Sequence, residues 1–176
     1  MDETGLFWKL TLDCILATQA RSGGKKSKDQ VTLVFIVSAL GKKDYPSAAR
    51  QYKALLEIAP NNVMLLNNVA WASGQMKDPK ALEYAEKASK LAPNDPAVLD
   101  TLGKLLVEKG ENARAVEALQ KATQIAPNVP TIRLNLARVL IKSGQKDAAK
   151  KELNALVKLG NKFPDQDEVA KLMQTL

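Results

Sequence analysis

Very little in this 176-residue chain can make or break a covalent bond. It has no histidine and one cysteine, Cys14. An imidazole base, a Cys–His pair, an intrachain disulfide and a His/Cys metal centre are therefore all excluded. No glycine-rich phosphate loop is present. Asp165 and Asp167 are the nearest approach to an acid–base pair. Their setting, Asp165-Gln166-Asp167-Glu168 followed by Val169, Leu172, Met173 and Leu176 on one helical face, fits a capping box that opens a helix. The sequence thus predicts no catalytic residue, no cofactor and no metal. Recognition chemistry is what remains. Trp71 can bury a large area at little entropic cost. The adjacent amides of Asn67 and Asn68 can both donate to and accept from a peptide backbone. Lys104, Arg138 and Lys142 are cations whose readiest use is pairing with Asp100 and Glu108.

Charge and composition narrow the partner class. The net charge of +7 comes from 26 Lys and Arg against 19 Asp and Glu, with both signs interspersed over most of the chain. A basic run lies at 21–28, but aromatics make up only 5% of the sequence. They do not alternate with basic residues as base-stacking platforms require, so nucleic acid is an unfavoured partner. The apolar stretch 6–17 is interrupted by Lys9 and Asp13 and follows the acidic Met1-Asp2-Glu3. It is a poor signal peptide and too short for a membrane span. Thr11-Leu12-Asp13-Cys14 fails as a lipoprotein cleavage site, because Asp13 stands where a small residue is needed. The chain is expected to insert into no membrane.

The elements that position the recognition residues are set by a repeat. Ala-Pro-Asn occurs at 59–61, 92–94 and 126–128, spaced 33 and 34 residues apart. A fixed period of that size describes an array of one small unit, each stacked on its neighbours. In the clearest unit Asp95 is an N-cap and Pro96 the first helical residue. Leu99, Leu102, Leu105 and Leu106 follow at helical spacing, Gly110 ends the helix, and Ala115, Leu119 and Ala122 form the stripe of a second helix that Pro127 stops.

With Leu99, Leu102, Gly103, Ala115, Leu119, Ala122 and Pro127 at these places, the unit resembles the tetratricopeptide repeat (TPR), a helix–turn–helix module. The preceding unit supplies Leu66, Val69, Ala70, Ala81, Ala85, Ala88 and Pro93, and is one residue shorter in the turn at Lys77-Asp78-Pro79. The first supplies Phe35, Ile36, Ala39, Ala48, Tyr52, Leu55 and Pro60. In it 31–37 would read as a strand in isolation, and the repeat register makes it helix. The fourth supplies Arg133, Leu136, Ala137, Leu140, Ala149, Leu153 and Leu156. The resemblance implies an all-α fold: a right-handed α-solenoid of stacked antiparallel helix pairs, a TPR superhelix with a C-terminal capping helix. Its expected parts are an N-terminal helix and basic linker at 1–28, repeats at 29–62, 63–95, 96–129 and 130–163, and a capping helix at 164–176.

In such an array the first helix of each pair, helix A, lines a concave groove. The resemblance assigns to that groove Asn67, Asn68, Trp71 and Gln75 from the second repeat and Asp100, Thr101, Lys104 and Glu108 from the third. Thr131, Leu134, Asn135, Arg138 and Lys142 come from the fourth. The first repeat offers mainly apolar side chains at Leu33, Val34, Val37 and Leu40. TPR co-chaperones hold a terminal carboxylate with Lys, Asn and Arg. Of the matching positions Leu33, Val37, Asn68, Ala97 and Thr101, only Asn68 agrees, so carboxylate clamping is not expected. Segments 66–71, 81–88 and 95–103 resemble the C-terminal repeats of bacterial TPR lipoproteins that accompany exosortase/PEP-CTERM sorting and exopolysaccharide clusters. That likeness implies a periplasmic or outer-membrane-anchored parent; without it the chain reads as cytoplasmic. The expected function is a non-catalytic scaffold that binds a protein or peptide segment in the groove. The alternative is a homo-oligomer assembled through the N-terminal helix and the solenoid ends.

Overall fold

The computed structural model describes residues 26–176, and every regular element among them is helical. The expected N-terminal helix lies outside the described residues. Three residues assigned to the linker, Lys26, Ser27 and Lys28, are instead the start of the first described helix. The chain forms two compact units that divide between Ala92 and Pro93.

In the first unit α1 (Lys26–Gly41), α2 (Tyr45–Ile58), α3 (Val63–Gln75) and α4 (Ala81–Leu91) form two consecutive helix hairpins. In the second, α5 (Pro96–Glu108), α6 (Asn112–Ile125), α7 (Pro130–Lys142) and α8 (Lys146–Val157) form two more. A 3₁₀ turn, Gly160–Lys162, then leads to α9 (Gln166–Gln174), which packs on α8.

The repeated tripeptide is one repeated backbone conformation. Ala59, Ala92 and Ala126 close α2, α4 and α6 with φ of −133°, −135° and −123°. Each returns its N–H to the carbonyl four residues back, in Leu55, Ala88 and Ala122. The proline that follows has no N–H and cannot extend the helix. Where the next helix starts, Asn62 Oδ1 accepts from Met64 N and Leu65 N, both at 3.1 Å. Asp95 Oδ1 does the same from Ala97 N at 2.9 Å and Val98 N at 3.2 Å. These bonds satisfy N–H groups that the first helical turn leaves unpaired.

The turn inside each hairpin is equally regular. Lys43, Lys77, Gly110 and Gly144 all have positive φ, at 56°, 56°, 81° and 74°. The N–H of the following residue reaches back to close the helix, Asp44 to Ala39 O, Asp78 to Ser73 O, Glu111 to Leu106 O and Gln145 to Leu140 O. This is a Schellman motif, used four times. In the first unit the left-handed position is filled by lysine, whose Cβ makes that conformation costly.

Burial follows the repeat register. In the first unit Ile36, Ala39, Leu40, Ala48, Tyr52, Leu65 and Val69 form one core. In the second, Leu134, Ala137, Leu153, Leu156, Phe163 and Val169 join α7 and α8 to α9. Gly103 marks a close approach of α5 and α6, since a Cβ built there would lie 2.6 Å from Leu119 Cγ. Two expectations differ. Phe35 is 60% exposed while its neighbour Ile36 is fully buried, because consecutive helical residues point about 100° apart and only one can face the hairpin partner. Arg133 is not a core residue; it forms an ion pair with Glu152 of α8.

Candidate functional site

The groove positions expected in the second unit lie on α5 and α7. Asp100 is half-buried on α5 and receives two bonds: Lys104 Nζ lies 3.1 Å from its Oδ2, and Asn135 Nδ2 donates to its Oδ1 at 2.7 Å. Asn135, buried on α7, accepts in turn from Arg138 at 2.6 Å. Arg138 then crosses to α9, where Nε and a terminal nitrogen donate to Glu168 Oε1 at 2.8 Å and Oε2 at 2.7 Å. The result is a continuous polar ladder, Lys104–Asp100–Asn135–Arg138–Glu168, running across three helices. Its two cations and two carboxylates cancel.

The remaining expected residues of this unit stand around the ladder. Thr101 is buried and donates to Ala97 O at 3.1 Å, a local bond within α5. Lys142 donates to Val107 O at 3.1 Å, satisfying a carbonyl of the last turn of α5. Glu108 is exposed at the end of that helix. Of the pairing expected with Asp100 and Glu108, only Lys104–Asp100 is among these bonds; Arg138 pairs with Glu168 and Lys142 bonds a backbone carbonyl.

Glu168 is the member that sequence reasoning assigned elsewhere. The capping box does not form: Asp165 makes no side-chain cap bond, although α9 does begin at Gln166. The Glu168 carboxylate meets the Arg138 guanidinium instead, because a two-bond charge-assisted pair outweighs one bond to a backbone N–H. The arginine's hydrogen bonds hold its carboxyl below the usual glutamate range, against the opposing effect of burial. A signal was available. Glu168 lies two 34-residue steps beyond Asp100, so it occupies the same helix-A position two units later.

The first unit offers a different arrangement on α3. Asn67 and Asn68 are buried, 6% and 2% exposed. Among the described residues Asn67 Oδ1 and Asn68 Nδ2 have no hydrogen-bond partner. Trp71, one turn further along, is half-buried and meets Tyr45 edge-on, with ring centroids 5.5 Å apart and planes at 87°. Tyr45 opens α2, so this ring contact joins α3 to the second helix of the first hairpin, and Trp71 also packs against the core that Ile36, Ala39 and Leu40 of α1 share with α2 and α3. Gln75 is exposed at the end of α3. The Asn67–Asn68–Trp71 group belongs to the first unit and the polar ladder to the second.

On the outer side of α2, Lys53 Nζ lies 3.4 Å from Asp78 Oδ2 and 5.7 Å from the centre of the Tyr84 ring. Asp78 also accepts from Lys80 N at 2.9 Å. That backbone bond, opposed by burial and assisted by Lys53, lowers its carboxyl from the usual range. Among the described residues no group of three or more His, Cys, Asp or Glu side chains could hold a metal ion. No described helix is long and apolar enough to cross a membrane.

Comparison with known proteins agrees with this architecture. Residues 106–176 match the tetratricopeptide repeat model TPR_19. A solved MamA structure is 22% identical, with 78% of this chain and 90% of MamA covered at a TM-score of 0.63. The Pseudomonas aeruginosa pilF protein is 23% identical over 82% of this chain and 67% of its own, at a TM-score of 0.69. A tetratricopeptide repeat protein from Parabacteroides merdae is 16% identical over 82% of this chain and 58% of its own, at a TM-score of 0.65. No curated protein matches the sequence. At these identities the shared property is the fold, an all-α array of TPR-type helix pairs.

Proposed function

We propose that the chain is a non-catalytic scaffold that captures a segment of another protein on its helix-A face, and that α3 holds the backbone of that segment. The carrying observation is the amide pair. Asn67 Oδ1 and Asn68 Nδ2 are shielded from water, and no described residue hydrogen-bonds to either. A buried polar atom left in that state costs about 1–3 kcal/mol. A peptide group supplies both missing partners, an N–H for Asn67 Oδ1 and a C=O for Asn68 Nδ2. The protein has already lost the water these atoms would surrender on binding. Trp71 is the neighbour that opens the way, since rotation off Tyr45 uncovers α3 and presents the indole to a ligand side chain. In the second unit the equivalent helix positions already satisfy each other, so a segment lying there must compete with formed bonds.

The likeness of 66–71, 81–88 and 95–103 to bacterial TPR lipoproteins supports a place in envelope protein sorting or exopolysaccharide export. The test is affinity capture from a bacterial envelope extract with three proteins: wild type, Asn67→Leu/Asn68→Leu and Arg138→Ala, each checked by circular dichroism. A protein held by wild type and by Arg138→Ala, and lost with the asparagine variant, is the expected result. Equal capture by all three removes α3 from the site.

A further inference from the structure

Phe35 is exposed at a place where every later repeat buries its side chain. Each first helix ends in a left-handed turn residue, and Phe35 lies eight positions before Lys43. Val69 stands at the same distance before Lys77, Leu102 before Gly110 and Leu136 before Gly144. Val69, Leu102 and Leu136 are 0%, 8% and 3% exposed, whereas Phe35 is 60% exposed. Ser38, five positions before its turn residue, is exposed too, and its counterparts Ala72, Leu105 and Val139 are all buried. Lys42, which also acts on the Asp44 carboxylate, extends the same face by one more turn.

Stacking explains the difference. Val69 of α3 joins Ile36, Ala39 and Leu40 of α1 and Tyr52 of α2 in one core, so this position buries itself against the preceding helix pair. In the second unit α7, which carries Leu136, likewise packs on α6 and α5. The first described helix pair begins with α1, and the corresponding face of α1 has no such neighbour among the described residues.

We propose that α1 pairs with α1 of a second copy, antiparallel and about a two-fold axis, through Phe35 and Ser38. The face is self-complementary. The Phe35 ring of each copy enters the space that the small Ser38 leaves on the other, and two-fold symmetry makes both contacts at once. Charge selects the direction: antiparallel pairing sends the two Lys42 side chains to opposite ends of the contact, whereas parallel pairing sets like charges side by side. The pairing also continues the packing inside each unit, since this helix position meets helices of the same chain there and a second copy supplies one. The counterpart of Trp71 on α1 is Val37, not Phe35, so the pairing face differs from the one that Asn67, Asn68 and Trp71 share on α3. One helix of 16 residues from each copy covers less area than a standard stable interface, so the pair forms at micromolar concentration or above.

Sedimentation velocity of the full chain from about 1 to 500 µM, the range suited to an interface below standard size, tests this. Wild type is expected to pass from monomer to dimer across that range. Phe35→Ser deletes both rings at once, and Ser38→Phe sets ring against ring. Each should weaken dimerisation at least about tenfold, with helix content by circular dichroism unchanged because both positions are exposed. Phe35→Ser/Ser38→Phe again places each ring opposite a serine and should dimerise about as tightly as wild type. A monomer at every concentration overturns the proposal and leaves the face to a different partner. A dimer unaffected by Phe35→Ser overturns it, as does a double variant no tighter than the singles. Growth beyond the dimer overturns it in favour of head-to-tail assembly.

Discussion

Gly103→Ala isolates the contact that lets α5 and α6 cross closely and so fixes how Asp100, Thr101 and Lys104 are presented. The added Cβ would meet Leu119 Cγ at 2.6 Å, Cδ1 at 3.0 Å and Cδ2 at 3.1 Å. The nearest of these is the branch point of the side chain rather than its flexible end, and Leu119 is fully buried. Relief therefore requires an off-rotamer leucine or a separation of the helices. Overpacking of this kind costs about 1–3 kcal/mol, and the short distance puts this site in the upper half of that range. Alanine also gains about 1 kcal/mol of helix propensity over glycine. The net expectation is a loss of about 1–2 kcal/mol, or several degrees in thermal midpoint for a chain of this size. Urea and thermal denaturation measure it directly. A double variant with Leu119→Ala should lose less than the sum of the two single changes, because the second removes the atoms the first collides with. A Gly103→Ala protein as stable as wild type, or additive losses in the cycle, would refute the close-approach argument.

The other expectations concern turns, amides and charge. Lys43→Gly and Lys77→Gly place glycine where the backbone is left-handed, and each should raise stability by about 1 kcal/mol in denaturant melts. Asn68→Leu removes a buried Nδ2 that has no partner among the described residues, so its stability should be unchanged or higher by about 1 kcal/mol, while capture of the protein ligand is lost. For Glu168, a folded pKa below the ordinary value means that its contribution is present above the ordinary value and disappears as pH falls through the folded one. Glu168→Gln should therefore lower the thermal midpoint at pH 7, by the equivalent of about 0.5–1 kcal/mol for a half-exposed pair. At pH 3 its gap from wild type should shrink.

Ala-Pro-Asn and the leucine and alanine spacing determined the all-α class and the hairpin repeat from sequence alone, for a local reason. Pro60, Pro93 and Pro127 cannot continue a helix in any context, and Asn62 and Asp95 can cap the next one with their own side chains. The small residue at 103 was legible too, as one of the places the repeat fills, whereas its approach to Leu119 was not. Position on a helix was likewise readable: Asn67, Asn68, Trp71, Asp100, Asn135 and Arg138 all fall on the helices expected to carry them. Tertiary structure alone decided what those side chains do there. Arg138 reaches Asn135 within its own helix, but it has Glu168 within reach only in the folded unit, which redirects Glu168 from a local cap to a bond 30 residues away. Asn67 Oδ1 and Asn68 Nδ2 became buried without a partner among the described residues, and Trp71 found Tyr45, because burial and pairing depend on distances between helices that no spacing along the chain contains.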